Sequence, residues 1–253
     1  MRYDRIWVRI NQGGPMTIRA IIFDKDGTLI SATQAWSIPS IQATDYLLNQ
    51  SDLAEAKQQE IAKLAGIEHD QLQPNSLFLA GSIRDQAQFF AEYVPLDCQE
   101  IEQILVDYYY QFQQQELSDA LIEPGVIELL QTLAPHYHIG LITNDHYLLT
   151  HHMLEELKLL DYFDFIGCAD QYGPKPNPQA LHEFSRRFDI GLHEMVYVGD
   201  SQLDMAYGKW TRASIAYDPT GQADYLSDAD YQLRHFSELP LVIDAIDEED
   251  RRK

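Results

Sequence analysis

Ile18-Arg19-Ala20-Ile21-Ile22-Phe23-Asp24-Lys25-Asp26-Gly27-Thr28-Leu29-Ile30 is the stretch from which the rest of the chain is read. Its first half is a short β-branched and aromatic run, the pattern of a strand buried on both faces as in a parallel sheet. The run ends in two carboxylates one residue apart, followed by Gly27 and Thr28. Side chains alternate along an extended chain, so Asp24 and Asp26 point the same way and Lys25 turns aside. Gly27 lets the backbone leave the strand at dihedrals other residues resist. Ligands of open α/β sheets bind just outside the carboxyl ends of the strands, which is where this pair sits. A polar strand end entering an Asp-Gly turn has the same local sequence. What separates the two readings is whether partners recur at other strand ends.

Working outward, 253 residues suit one or two domains with a sizeable core. The hydrophobic content of 45% marks a globular chain. A formal charge of -22 repels nucleic acid and anionic membranes, so neither is an expected partner. An acidic protein that handles anions must concentrate its few cations, or a metal, at the site. Two cysteines, Cys98 and Cys168, form no disulfide framework and fit a reducing cytoplasm. Residues 1–15 mix three arginines with Trp7 and end in Gln12-Gly13-Gly14-Pro15 before Met16. They read as a leader upstream of a native start at Met16, or else as a short extra strand at Ile6-Trp7-Val8.

Residues 32–119 change texture, with helical periodicity replacing strand-like runs. Helices are predicted from Ile38 to Asn49, after the cap pair Ser51-Asp52, from Ser82 to Tyr93, and from Asp97 to about Leu117. This predicts an all-helical insert, with Gln111 to Gln115 on a solvated helix face. Strand and helix then alternate. Helices are expected at Val126 to Leu133, His146 to Leu159 and Gln179 to Phe188, and strands at Tyr137 to Ile142, Phe163 to Ala169, Met195 to Val198 and, last, Ala213 to Tyr217. The alternation implies a doubly wound parallel α/β sheet built from residues 16–31 and 120–246, with residues 247–253 a charged, frayed tail. The helical insert would close over the sheet end through hinges near Ser31 to Thr33 and Ser118 to Glu123.

Polar groups recur where the sheet predicts them. Thr143-Asn144 follows a strand and offers a hydroxyl, an amide and backbone N–H groups to phosphate oxygens. Lys175 sits in Gly173-Pro174-Lys175-Pro176-Asn177-Pro178, whose prolines stiffen a loop presenting one ammonium. Asp200 and Asp204 follow a fourth strand and flank a helix start. Singly, each has an ordinary alternative: a helix cap, a surface lysine, a dipole partner. In this order and at these strand ends, they reinforce one another.

The chain thereby resembles the haloacid dehalogenase superfamily. The first motif is Asp24-Lys25-Asp26-Gly27-Thr28, the second Thr143-Asn144, the third Lys175-Pro176-Asn177-Pro178, and the fourth Gly199-Asp200-Ser201-Gln202-Leu203-Asp204. The resemblance implies a Rossmann-like core with a helical cap inserted after the first motif, as in phosphoglycolate phosphatases and β-phosphoglucomutases. It implies phosphomonoester hydrolysis of a small phosphorylated metabolite, with Asp24 as nucleophile, Asp26 as acid and base, and Lys175, Thr143 and Asn144 on the phosphoryl group. Asp24, the Asp26 carbonyl and Asp200 would hold Mg²⁺, with Asp204 supporting and Gly27 and Thr28 shaping the turn. Four ionised carboxylates against one lysine also demand a divalent cation on charge grounds, and an all-oxygen ligand set points to Mg²⁺. A sugar-phosphate mutase and a catalytically silent binding module are the alternatives; a monomer and a homodimer are both compatible.

Lys25 departs from the family pattern, where an apolar residue is common, and is expected not to touch the reacting groups. The segment Gly208-Lys209-Trp210-Thr211-Arg212 departs as well, lacking the usual Ala-Gly. In the insert, Trp36 is a candidate shield, against the more ordinary reading of core packing. Arg84 is a candidate contact for a second substrate anion, against the more ordinary reading of a solvent-facing arginine on a capped helix. Lys57 and Lys63 are the insert's lysines, and their hydrophilic setting argues against a Schiff-base role.

Overall fold

The structure, a computed structural model, describes residues 17–73 and 76–252; the leader expected over residues 1–15 lies outside them. β1 (Ala20–Phe23) is followed by the insert: α1 (Ala32–Leu48), α2 (Glu55–Leu64), β2 (Ile67–Glu68), β3 (Gln71–Leu72), α3 (Leu77–Ala80), α4 (Ile83–Phe90) and α5 (Cys98–Glu116). The remainder comprises α6 (Val126–Leu133), β4 (His138–Thr143), α7 (Tyr147–Glu156), β5 (Phe165–Cys168), α8 (Ala169–Tyr172), α9 (Gln179–Phe188), β6 (Met195–Gly199), α10 (Gln202–Gly208), β7 (Ala213–Tyr217), β8 (Tyr231–Leu233) and α11 (Leu239–Arg251). The large sheet runs in the order β5-β4-β1-β6-β7-β8 and is parallel throughout.

The β1 sequence explains its central place. All four residues are buried, and alternate side chains enter different cores. Ala20 and Ile22 join Phe184, Tyr197 and Tyr207 under α9 and α10. Ile21 and Phe23 join Leu149 and Met153 of α7 and Leu239 and Ile243 of α11 on the other side. A strand apolar on both faces is stable only between two layers of helices. Phe23 aligns with Leu141 of β4 and Val198 of β6. The residues leaving β1 therefore lie between the ends of β4 and β6, where successive crossovers change direction and α/β sheets bind ligands.

Several sequence expectations change on inspection. The insert is not all helical, because β2 and β3 pair antiparallel across a two-residue turn. His69 and Asp70 take positive φ of 53° and 56° there, the backbone of a tight hairpin turn, without the usual Asn-Gly signal. α1 begins six residues before Ile38 and passes through Pro39 in its interior, where the proline has no N–H to give the helix ladder. α2 is capped at Ala54, not by Ser51-Asp52. Gln113 is buried, not solvated. A short strand, β8, follows the one expected to be last. The expected tail is helical to Arg251 within α11, and Asp247, only 1% exposed, accepts the Thr17 and Ile18 backbone N–H groups at 3.0 and 2.9 Å. A capping box forms at Ser82–Asp85, where the helix was expected to start, and another at Asp97–Glu100.

The insert rests on the remainder of the chain. Ile30 and Ile122 bridge antiparallel where the chain leaves and returns, and Ser31 donates its N–H to the Leu121 carbonyl at 2.8 Å. Tyr110 of α5 lies 4.7 Å, ring to ring, from His152 of α7.

Candidate active site

Asp24 leaves β1 with its N–H donated to the Val198 carbonyl at 2.8 Å, which fixes the nucleophile candidate between β4 and β6. Lys175 reaches it from the loop between α8 and α9. The Lys175 Nζ lies 2.6 Å from Asp24 Oδ1 and 2.7 Å from Asp204 Oδ1, and it donates to the Tyr197 hydroxyl at 3.2 Å. The Tyr197 hydroxyl lies 3.1 Å from the Ile142 carbonyl oxygen and 3.2 Å from Asp204 Oδ1. One tyrosine from β6 thus fastens both Lys175 and Asp204 to the end of β4.

Asp204 is saturated. Besides Lys175 and Tyr197, it accepts the Ser201 N–H at 3.0 Å, the Ser201 hydroxyl at 2.6 Å and the Asp200 N–H at 3.3 Å. Asp200 contrasts with it, accepting only the Thr28 hydroxyl, at 3.1 Å on Oδ1, among the described residues. Gly27 makes room for this carboxylate. Its φ is +87°, and a Cβ there would stand 2.1 Å from Asp200 Oδ2. The glycine is required both by the backbone and by the approach.

Oxygens of Asp24, Asp200 and Asp204 all lie within 4.8 Å of one another. Such a cluster is costly in a buried site. Burial pushes the Asp24 carboxyl up to about 7, with Lys175 pulling it down and Asp204 adding to the rise. Burial, then Asp204 and Asp24, pushes Asp200 well above the carboxylate range. Burial works against the Lys175 ammonium, but Asp204 and Asp24 outweigh it, and its pKa rises above that of an ordinary lysine. A fixed ammonium among carboxylates that resist ionising together is a site short of positive charge. The oxygen donors left open by the protein, on Asp24 and Asp200, suit a hard divalent cation.

The phosphate-binding candidates lie at the neighbouring strand end. Thr143 is buried, and its Oγ1 accepts the Asp145 N–H at 3.2 Å. Asn144 Oδ1 accepts the Lys175 backbone N–H at 2.7 Å, while its Nδ2 donates to the Ala80 carbonyl of the insert at 3.4 Å. Asn144 thus joins the lysine loop to the insert.

Asp26 has surroundings the sequence did not disclose. Lys25 is wholly buried rather than turned aside from the chemistry, and its Nζ lies 2.8 and 2.7 Å from the two Asp26 carboxylate oxygens. The expectation that this departure spares the reacting groups is therefore corrected. Trp36 is buried, its ring packs edge-on to Tyr109 at 5.3 Å, and its Nε1 donates to Asp26 Oδ1 at 2.8 Å. Arg84 points into solvent and pairs with Glu102 at 3.2 Å. Lys57 and Lys63 pair with Glu60 and Glu68 at the surface. Tyr197, Lys25 and Asp145 escaped sequence reasoning. The available signal was a tyrosine and a lysine at positions where the strand pattern asks for aliphatic side chains.

The haloacid dehalogenase-like hydrolase family matches residues 21–216 of this sequence. The chain belongs to that family. Among curated relatives of this hydrolase, a phosphoglycolate phosphatase of Yersinia pseudotuberculosis serotype I is 29% identical over 227 residues, 88% of this chain and 91% of that one. A phosphoglycolate phosphatase of Escherichia coli K12 is 30% identical over 202 residues, 76% of this chain and 77% of that one. Among solved structures, a predicted phosphoglycolate phosphatase from Haemophilus somnus 129pt superposes with a TM-score of 0.66 at 18% identity, covering 90% of this chain and 99% of that chain. This haloacid dehalogenase-like hydrolase is a phosphatase, which sets aside the silent-module alternative. No helix among its described residues is long and apolar enough to cross a membrane.

Proposed function

We propose that the chain is a Mg²⁺-dependent phosphomonoesterase acting on a small phosphorylated metabolite, of the phosphoglycolate phosphatase kind, in the cytoplasm. The observation that carries this reading is the Lys175 ammonium held between Asp24 and Asp204 beside an Asp200 carboxylate short of partners. Asp24 and Asp200, with the Asp26 carbonyl, would hold Mg²⁺, which when bound supplies charge stabilisation to the phosphoryl oxygens. Asp204, whose oxygens are already taken, supports Lys175. Residues 32–119 act as the cap, which excludes water and carries the substrate contacts.

The chemistry proceeds in two displacements. An Asp24 oxygen attacks phosphorus, the ester P–O bond breaks, and Asp26 gives its proton to the departing alkoxide. Lys175 neutralises a phosphoryl oxygen as charge develops, and Thr143 and Asn144 bind the others. Water then attacks the aspartyl-phosphate and gives its proton to Asp26, and the Asp24–phosphorus bond breaks to release inorganic phosphate. Tyr197 keeps Lys175 on its target throughout.

Assay of the purified chain against a panel of phosphorylated metabolites, with and without Mg²⁺, tests this reading. Phosphate release from phosphoglycolate that depends on Mg²⁺ is expected. Interconversion of sugar-phosphate isomers without phosphate release would replace it with the mutase reading.

A further inference from the structure

Lys25 has no place in the two displacements above, yet it sits at their centre. Its side chain is fully buried, and an ammonium carries a desolvation cost of several kcal/mol unless its hydrogen-bonding capacity is met. The capacity is met by two carboxylates. Nζ contacts both oxygens of Asp26 and lies 3.1 Å from Asp145 Oδ2. Met153 Sδ lies 3.9 Å from Nζ and the Trp36 ring centroid 5.1 Å from it. An aliphatic side chain would pack against that sulfur and that ring but would leave Asp26 and the buried Asp145 without their cation.

Two separate elements converge on Asp26. Lys25 comes from the end of β1, and Trp36 Nε1 comes from α1 of the insert, onto the oxygen that Lys25 also contacts. Three donor contacts on two oxygens fix the carboxylate's orientation. Lys25 simultaneously ties it to Asp145, directly after the Thr143-Asn144 segment, whose carboxylate accepts the His146 N–H at 2.6 Å and the Thr150 hydroxyl at 3.2 Å. The acid–base candidate is thus strutted to the phosphate-binding strand end and latched to the insert. Proton transfer between heavy atoms is intolerant of position, and a displacement of about 1 Å can cost on the order of 10²-fold in rate.

We infer that Lys25 is a positioning residue for Asp26, acting with Trp36 to hold the carboxyl group where it meets the leaving-group oxygen. The inference rests on the assignment of Asp26 as acid and base, and it adds a buried cation and an insert indole to that assignment. Protonation matters for an alkoxide leaving group and little for a nitrophenolate, so the two substrate types separate positioning of the acid from general damage to the site.

The test measures the first displacement under single-turnover conditions, with Mg²⁺ present, for phosphoglycolate and for p-nitrophenyl phosphate. Lys25→Met is expected to slow phosphoglycolate at least about tenfold more than p-nitrophenyl phosphate. Trp36→Phe, which keeps the ring packing and loses the N–H, shifts the ratio the same way by a smaller factor. Should Lys25→Met fail to fold, Lys25→Met combined with Asp145→Asn removes the stranded charge and is read identically. Equal slowing of both substrates in the Lys25 variants overturns the inference if Asp26→Asn does shift the ratio. An unchanged ratio in Asp26→Asn overturns the acid assignment itself, and the inference with it.

Discussion

Lys175 and Lys25 are each buried between two carboxylates at the carboxyl ends of the same sheet, yet only one of them is visible in the sequence. Lys175 lies in a proline-stiffened loop, where a cation has no packing reason to be, and it meets Asp24 and Asp204. Lys25 lies one residue from the strand and reads as a side chain turned aside, but its stem runs through the core and its ammonium returns to Asp26 and Asp145. A lysine stem is long enough to cross an apolar layer and deliver its charge on the far side. The direction of a Cβ therefore says where a short side chain acts but not where a lysine does. In the proposed mechanism, the first network holds the group that would take the phosphoryl and the second the group that would move the proton.

Substitutions can break or sharpen that contrast. Asp24→Asn has the largest expected effect: phosphate release falls to background while the thermal unfolding midpoint stays within a few degrees of the parent, and turnover near the parent rate would remove Asp24 as nucleophile. Lys175→Met leaves Asp24 and Asp204 buried without a cation. It is expected to lower kcat by about 10²-fold or more and to cost roughly 3–5 kcal/mol in denaturant unfolding. The loss should strike phosphoglycolate and p-nitrophenyl phosphate alike, unlike the selective loss expected at Lys25. Chelation with EDTA should abolish turnover reversibly, and Mg²⁺ should restore it.

A smaller effect is expected from Gly27→Ala. Its Cβ meets Asp200 Oδ2, and the φ of +87° strains any other residue by about 1–3 kcal/mol. The Mg²⁺ concentration for half-maximal activity should rise, and an unchanged Mg²⁺ dependence would detach Asp200 from metal binding. Arg84→Ala closes the series with the least effect, within about twofold on kcat/KM, because among the described residues the guanidinium is engaged in a surface pair, worth about 0–1 kcal/mol.

The fold was legible wherever chemistry is local in sequence. Val126–Leu133, Gln179–Phe188 and Ala213–Tyr217 are bounded as their periodicity predicts. Illegible elements were short or exposed, such as β8 and the β2–β3 hairpin, whose His69-Asp70 turn uses a left-handed backbone without a glycine. The end of α11 was misread for another reason. Its string of acidic residues looks like a solvated tail, and only the fold shows Asp247 receiving the backbone of Thr17 and Ile18.

The site divides along the same line. Residue types and their order were enough to select Asp24, Asp26, Lys175, Asp200 and Asp204, because each stands at a strand end or a stiffened loop that apolar patterning locates. Which oxygens are taken and which are open came only with the tertiary structure: Asp204 filled by Ser201, Tyr197 and Lys175, and Asp200 left with Thr28. Patterning along a chain reports which face of an element is buried. The meeting of Lys175 with Asp24 across 151 positions, and of Trp36 with Asp26 across the junction between insert and sheet, is decided by packing, which no local pattern encodes.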